Sequence, residues 1–182
     1  PQLLKKSGVD YFMTQKISWS QFNQFPHHTF NWQGIDGTGI FSHFLPNATY
    51  NTPSTAKAWK DIEGNNLDAD RSDHALCLFG IGDGGGGPGR THIEWTRLAG
   101  NLEDLPRVTM EFARDFFPRA EAEATDLMTW QGELYLEYHR GTYTTQALVK
   151  KLNRQLEQQL RDWEWLLAVT AGRCPRADIE RL

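Results

Sequence analysis

The run Ala75-Leu76-Cys77-Leu78-Phe79-Gly80-Ile81 passes without a break into Gly82-Asp83-Gly84-Gly85-Gly86-Gly87-Pro88-Gly89, and this pairing most constrains the fold. A continuous apolar run bounded by glycine reads as a strand covered on both faces, which requires helices packed on either side of a sheet. Residues 90–99 have a helical pattern, and Arg107-Val108-Thr109-Met110 reads as a further strand. Upstream, Pro53-Ser54 introduces a helix through Ala56, Ala58, Trp59 and Ile62. The rhythm is β/α with parallel strands. In such sheets ligands bind in the crevice beyond the carboxyl ends of the strands. Asp83, at the mouth of the glycine loop, is therefore the leading candidate, because glycines allow close approach of backbone to ligand. The alternative is a surface connection in which Asp83 is a turn residue.

Toward the amino end, Gln2-Leu3-Leu4-Lys5-Lys6-Ser7-Gly8 has a helical pattern with a glycine stop. Residues 9–15 follow as an aromatic and β-branched strand. Thr29-Phe30-Asn31-Trp32 and Gly39-Ile40-Phe41-Ser42-His43-Phe44-Leu45 flank Gly34-Ile35-Asp36-Gly37, whose Asp-Gly step predicts a hairpin turn.

From Thr144 the period changes. Leu148, Leu152, Leu156, Leu160, Trp163 and Leu167 recur at helical spacing up to Gly172. This long amphipathic helix needs a partner for its stripe, which predicts the start of a helical bundle. The expected fold class is α/β: residues 1–140 form the later part of a parallel-sheet domain, and residues 141–182 the first long helix of a bundle. The chain opens on Pro1 rather than Met and closes within a helical composition at residues 176–182, so an internal segment of a longer protein is expected. Such a segment exposes apolar surface along the Leu148 to Leu167 stripe, which predicts self-association into a homo-oligomer or marginal stability.

With 182 residues, 39% of them hydrophobic, the chain can bury one ordinary core. Its net charge of -4, with both signs interspersed, gives no footprint for nucleic acid. No apolar stretch reaches the roughly 20 residues of a membrane helix, and no signal pattern opens the chain. Cys77 and Cys174 are far apart and imply no disulfide framework. A cytoplasmic location is expected, with a vacuolar or lysosomal one as the alternative. The sequon Asn47-Ala48-Thr49 is a short match that does not change this expectation.

Two rival chemistries are weakly written. Residues 84–91 read G-x-x-x-x-G-R-T, close to a phosphate-cradling loop, but Arg90 replaces the lysine and Pro88 removes a backbone donor. The six histidines contain no helical metal-binding pair and no nearby cysteine set, so no complete metal site is expected within this chain. His43 alternates with Phe41 and Leu45 and is open to reading as an inner histidine or a site residue. Loop aromatics such as Trp19, Phe22 and Tyr50 suit a carbohydrate, although most rings here are expected in the core.

Taken together, Tyr11-Phe12-Met13-Thr14-Gln15-Lys16-Ile17-Ser18-Trp19, Phe25-Pro26-His27-His28-Thr29-Phe30-Asn31-Trp32, Gly34-Ile35-Asp36-Gly37, Phe79-Gly80-Ile81-Gly82-Asp83-Gly84-Gly85-Gly86-Gly87-Pro88 and Glu133-Leu134-Tyr135-Leu136-Glu137-Tyr138-His139-Arg140-Gly141-Thr142-Tyr143-Thr144-Thr145 closely resemble glycoside hydrolase family 38. The resemblance is to its cytosolic or vacuolar α-mannosidases and covers residues 1–172. It implies exo-hydrolysis of terminal α-mannosides in mannose-containing oligosaccharides, with retention. It also implies a zinc ion in the intact enzyme, held by a His-x-Asp pair, the nucleophilic aspartate and a later histidine, in segments that flank this chain and are supplied by the remainder of the full-length protein.

By the same comparison Asp83 matches the general acid/base, although more distant members carry two consecutive aspartates where this chain has Asp83-Gly84. Lys16 falls where a basic side chain lines the sugar pocket, and Tyr50 matches a tyrosine beside the mannose. Asp36, His43, His139 and Tyr143 are further candidates for substrate binding. A non-catalytic carbohydrate-binding domain that retains the pocket without the zinc and nucleophile segments is the alternative function.

Overall fold

The computed structural model describes residues 1–139 and 145–171. They divide into two compact units, residues 1–138 and residues 139–182. In the first unit, helix α1 (Gln2–Lys6) leads through Gly8, at φ +81°, into strand β1 (Tyr11–Thr14) and a single 3-10 turn (Lys16–Trp19). Strands β2 (Thr29–Gln33) and β3 (Gly39–Phe44) form the expected hairpin, with Gly37 at φ +81° in its turn. Helices α2 (Ala56–Asn65), α3 (Arg90–Ala99) and α4 (Ala113–Glu123) and the short strand β4 (Thr129–Gln131) complete the unit. Thr55 caps α2 by accepting the Ala58 N–H through its hydroxyl.

The four strands form one sheet in the order β1-β3-β2-β4. β1 with β3 and β2 with β4 are parallel, while β2 and β3 are antiparallel, so the sheet of this α/β unit is mixed rather than purely parallel. The two-residue alternation of the strands sorts their side chains onto two faces. Phe12, Phe30 and Phe44 pack with Ile17, Phe25, Trp32 and Trp130 on one face. Tyr11, Met13, Phe41 and Leu45 pack with Leu76, Phe116, Phe117 and Ala120 on the other, under α4. A third cluster joins Trp59 and Ile62 of α2 to Ala99 of α3, with Ala75, Cys77, Leu105 and Val108 around them.

Two expected strands do not form. Residues 75–77 do alternate, with Leu76 facing α4 while Ala75 and Cys77 face α2 and α3. They carry only isolated bridges, Thr52 with Phe79 and Ile81 with Gly87. The reason is local: the Leu76 N–H is taken by the His43 ring at 3.0 Å, and the Leu78 carbonyl accepts from Thr52 N. Side chain and loop stand where a neighbouring strand would bond. Residues 107–110 likewise have no ladder.

In the second unit, helix α5 (Ala147–Thr170) forms as its periodicity predicts. Leu148, Leu152, Leu156, Leu160 and Trp163 are all exposed along it. Residues 176–182, expected as a helix start, lie outside the described residues.

Candidate functional site

β1 and β3 run parallel, so the segments that leave their carboxyl ends emerge side by side. Lys16 follows β1 in the 3-10 turn, and Tyr50 follows β3 in the next loop. Their side chains meet: the Lys16 ammonium donates to the Tyr50 hydroxyl at 3.2 Å. The same ammonium lies 3.7 Å from the centre of the Trp19 ring and 5.0 Å from that of Tyr50, a cation between two aromatic faces. Glu137 steadies the loop that follows Trp19, accepting the backbone N–H groups of Gln21, Phe22 and Asn23 at 2.6, 2.7 and 2.9 Å. These donors, with Phe22 foremost, hold its carboxyl below the usual range.

The glycine loop abuts this pair. Its neck is closed by two reciprocal hydrogen bonds between Ile81 and Gly87, 2.9 and 2.8 Å long. Inside the neck, Gly85 N donates to Gly82 O at 3.0 Å, which closes a turn with Asp83 and Gly84 at its corners. Gly84 sits at φ +87°, the left-handed value that the third residue of such a turn requires. Asp83 is exposed at the corner. Gly82 lies so close to the Tyr50 loop that a Cβ there would stand 2.8 Å from the Tyr50 ring and 2.3 Å from Asn51 Oδ1. Lys16, Tyr50 and the backbone that carries Asp83 thus form one contiguous surface.

The other candidates lie elsewhere. Asp36 is in the β2–β3 turn, at the opposite end of β3 from Tyr50. There it pairs with Lys6 at 2.8 Å and accepts the Thr38 N–H at 3.0 Å, and Lys6 foremost holds its carboxyl well below the usual range. It fastens a hairpin tip rather than lining the Lys16–Tyr50 surface. His43 is fully buried, with Nδ1 3.0 Å from the Thr29 hydroxyl and Nε2 accepting from Leu76 N. Burial lowers its pKa to about 3, so the ring is neutral, with its proton on Nδ1 directed at Thr29. Of the two readings of His43, the buried inner histidine fits this placement. His139 belongs to the second unit, at φ +65°, and Tyr143 lies outside the described residues.

Sequence reasoning passed over Asn51, whose Oδ1 accepts the Gly82 N–H at 2.6 Å. The only signal was an amide beside Tyr50, too common in loops to single out. It also passed over Asp68, which is buried and accepts from His28 N at 2.5 Å and Thr29 N at 2.9 Å and pairs with His27 Nδ1 at 2.9 Å. A cleft of about 700 Å3 lined by Trp59, Leu76, Val108, Phe116 and Arg119 contains none of the candidate residues. The candidate surface lies at the carboxyl end of the parallel pair, where Lys16, Trp19 and Tyr50 meet beside the loop that carries the exposed Asp83.

Two rival chemistries meet local obstacles. A phosphate cradle would need the loop amides, yet Gly85 N and Gly87 N are spent within the loop and the Arg90 guanidinium pairs with Glu94 at 2.6 Å. The sequon asparagine is half-buried and its Nδ2 donates to the Thr52 hydroxyl. Among the described residues no three His, Cys, Asp or Glu side chains converge on a point that would hold a metal ion, so their donor set does not fit the zinc implied by the resemblance.

Comparison with known proteins is decisive for the family. Residues 1–133 match the family model for the glycosyl hydrolases family 38 N-terminal domain, and residues 137–182 match that for the alpha mannosidase middle domain. The chain belongs to glycoside hydrolase family 38. Within that family it is 41% identical over 187 residues to human alpha-mannosidase 2C1, covering 100% of this chain and 18% of that protein. It is 42% identical over 166 residues to alpha-mannosidase G of Dictyostelium discoideum, covering 91% of this chain and 15% of that protein. The identity to a Saccharomyces cerevisiae alpha-mannosidase is 41% over 181 residues, covering 94% of this chain and 17% of that protein. This family 38 chain therefore spans less than a fifth of the length of these curated relatives. No helix among its described residues is long and apolar enough to cross a membrane.

Proposed function

We propose that this chain is the part of a retaining exo-α-mannosidase that supplies the general acid/base, Asp83, and part of the sugar pocket, Lys16 and Tyr50. The observation that carries the reading is the meeting of Lys16 and Tyr50 against the loop whose corner exposes Asp83. In a retaining mechanism a nucleophilic carboxylate attacks the anomeric carbon while a second, about 5 Å away, protonates the departing glycosidic oxygen. Asp83 would give that proton, and in the second step take one from the water that displaces the sugar from the nucleophile. Its position on a turn with open space around Gly84 and Gly85 suits a group that must reach the leaving side of the bond.

Lys16, with three N–H donors and one spent on Tyr50, has two left for sugar hydroxyls, and the Trp19 and Tyr50 rings offer faces to sugar C–H groups. Asp36 and His43 act on this reading through the fold, as a hairpin fastener and a clamp on the segment that leads to the glycine loop. His139 and Tyr143 belong to the proposal on the resemblance alone.

The substrate is a mannose-containing oligosaccharide and the location cytoplasmic. The boundary between catalytic and bundle domains falls near residue 140, and the exposed α5 stripe is covered by the rest of the full-length chain or by a second copy. The zinc expected for the intact protein has no ligand set among the described residues, and no step above runs through it.

The test is hydrolysis of an aryl α-mannoside by the intact protein, with and without a zinc chelator, and by its Asp83→Asn variant. Loss of activity with chelator and a severe drop in Asp83→Asn sustain the reading. Mannose binding without hydrolysis by the intact protein would replace it with a non-catalytic carbohydrate-binding module.

A further inference from the structure

We infer that Asn51 is the positioning residue for Asp83, an inference that rests on the acid/base reading of Asp83. Residue 82 is the last backbone unit before the carboxylate, and it is held on both sides. Its carbonyl accepts Gly85 N at 3.0 Å, and its N–H donates to Asn51 Oδ1 at 2.6 Å. The first bond is internal to the turn and moves with it. The second ties the loop tip, residues 82–86, to a different segment.

That tie matters because the tip has little else to hold it. A Cβ placed on Gly84 or Gly85 would meet nothing within 4 Å, and both residues sit at positive φ, +87° and +71°. The Ile81–Gly87 bonds fix the neck and do not reach the tip. Residues 50–52 run beside 78–82 as a rail: Thr52 N donates to Leu78 O at 3.1 Å, Asn51 takes the Gly82 N–H, and the Tyr50 ring presses on Gly82. Tyr50 also accepts from Lys16, so the rail links the orientation of the acid to the pocket cation. Asn51 is exposed, so its side chain takes no part in the buried core.

A general acid contributes only when its proton lies on line with the leaving oxygen, and a misplacement of about 1 Å costs on the order of 100-fold. The need for that proton depends on the leaving group. Loss of Asn51 should therefore slow α-mannosides with an alkyl leaving group, which must be protonated, and spare those with a dinitrophenyl leaving group, which departs unassisted.

In the intact protein, kcat/KM for Asn51→Ala, which reports cleavage of the glycosidic bond and not the later step that needs Asp83 as base, is expected to fall roughly 10- to 100-fold on methyl α-mannoside and less than about threefold on 2,4-dinitrophenyl α-mannoside. Asn51→Asp, which keeps an acceptor for Gly82 N, should recover most of the loss. Equal slowing of both substrates, or of neither, by Asn51→Ala would overturn the positioning role. Failure of Asp83→Asn itself to discriminate between the two substrates would instead remove the acid/base reading, and the inference with it.

Discussion

His43 Nε2 accepts the Leu76 N–H at 3.0 Å inside the protein, and this bond joins β3 to the segment that ends in the glycine loop. It demands a neutral ring, because a protonated imidazole has no lone pair to offer. Burial first, and the neighbouring His28 second, lower the pKa of His43 from 6.5 to about 3, against an opposing pull from Asp68. A histidine whose folded pKa lies below its unfolded value contributes its full stability above about pH 6.5 and loses it as the pH falls toward 3. His28, also lowered by burial, adds in the same direction.

Unfolding of the intact protein should therefore take up a proton at His43 between pH 6.5 and 3, so that stability falls with acidification. His43→Gln retains an acceptor but cannot charge. It should cost about 1–3 kcal/mol at pH 7 through imperfect bonding, yet show a flatter decline below pH 6.5. Melting curves at several pH values for the two proteins check this, and parallel declines would refute it.

Lys16→Met preserves the length of the side chain and removes its charge. The cation between Trp19 and Tyr50 and its donors to the sugar are lost together, worth about 1–2 kcal/mol. KM for aryl α-mannosides is expected to rise roughly 5- to 30-fold with a melting temperature close to that of the parent. Steady-state kinetics beside a thermal melt separate this from a general loss of structure.

The elements that the sequence made legible are those with a local signal. The Asp36-Gly37 turn, the aromatic β1, the helix α2 after Pro53-Ser54 and the four-residue leucine spacing of α5 all form as expected. What escaped either carries a misleading local residue or depends on partners distant in the chain. Helix α4 was hidden because Pro118 lies within it, a residue that ordinarily ends a helix. The strand expected at residues 75–81 alternates over residues 75–77 but loses its ladder to His43, thirty-three positions away. Within the site, Asp83 was visible through its glycines, while the contact between Asn51 and Gly82 spans 31 positions and left no local pattern. Asp36, a candidate through the family comparison, sits in the hairpin turn with its carboxylate bonded to Lys6 and Thr38.

Gly80 and Gly84 both occupy positive φ, +104° and +87°, but in different surroundings. A Cβ on Gly80 would stand 2.6 Å from Pro88 N and 2.7 Å from Gly87 C, which are backbone atoms that cannot swing aside. One on Gly84 would meet nothing within 4 Å. Gly84→Ala should thus cost only the conformational strain, about 1 kcal/mol, while Gly80→Ala adds a clash and should cost about 3 kcal/mol or more. Equal melting temperatures for the two variants would show that the neck of the loop is not packed as described.

Asp68 offers the sharpest separation of fold from chemistry. Its carboxylate is buried and bonds the N–H groups of His28 and Thr29 and the His27 ring, so it fixes the entry to β2 from the end of α2. Both oxygens are in use as acceptors, and an amide has only one acceptor oxygen. Asp68→Asn can keep both backbone bonds through its one oxygen, but its amide meets His27 Nδ1 only if that ring moves its proton to Nε2, and the charge of the pair is lost, a cost of about 1–3 kcal/mol. Asp68→Ala leaves these donors with no partner and should cost more. Neither change touches Lys16, Tyr50 or the glycine loop in any bond described above. At a temperature where the variant remains folded, Asp68→Asn should therefore keep kcat and KM within about twofold while its melting temperature drops by several degrees. A fall in kcat that precedes any loss of structure would mean that the His27–Asp68 pair reaches the reacting groups directly.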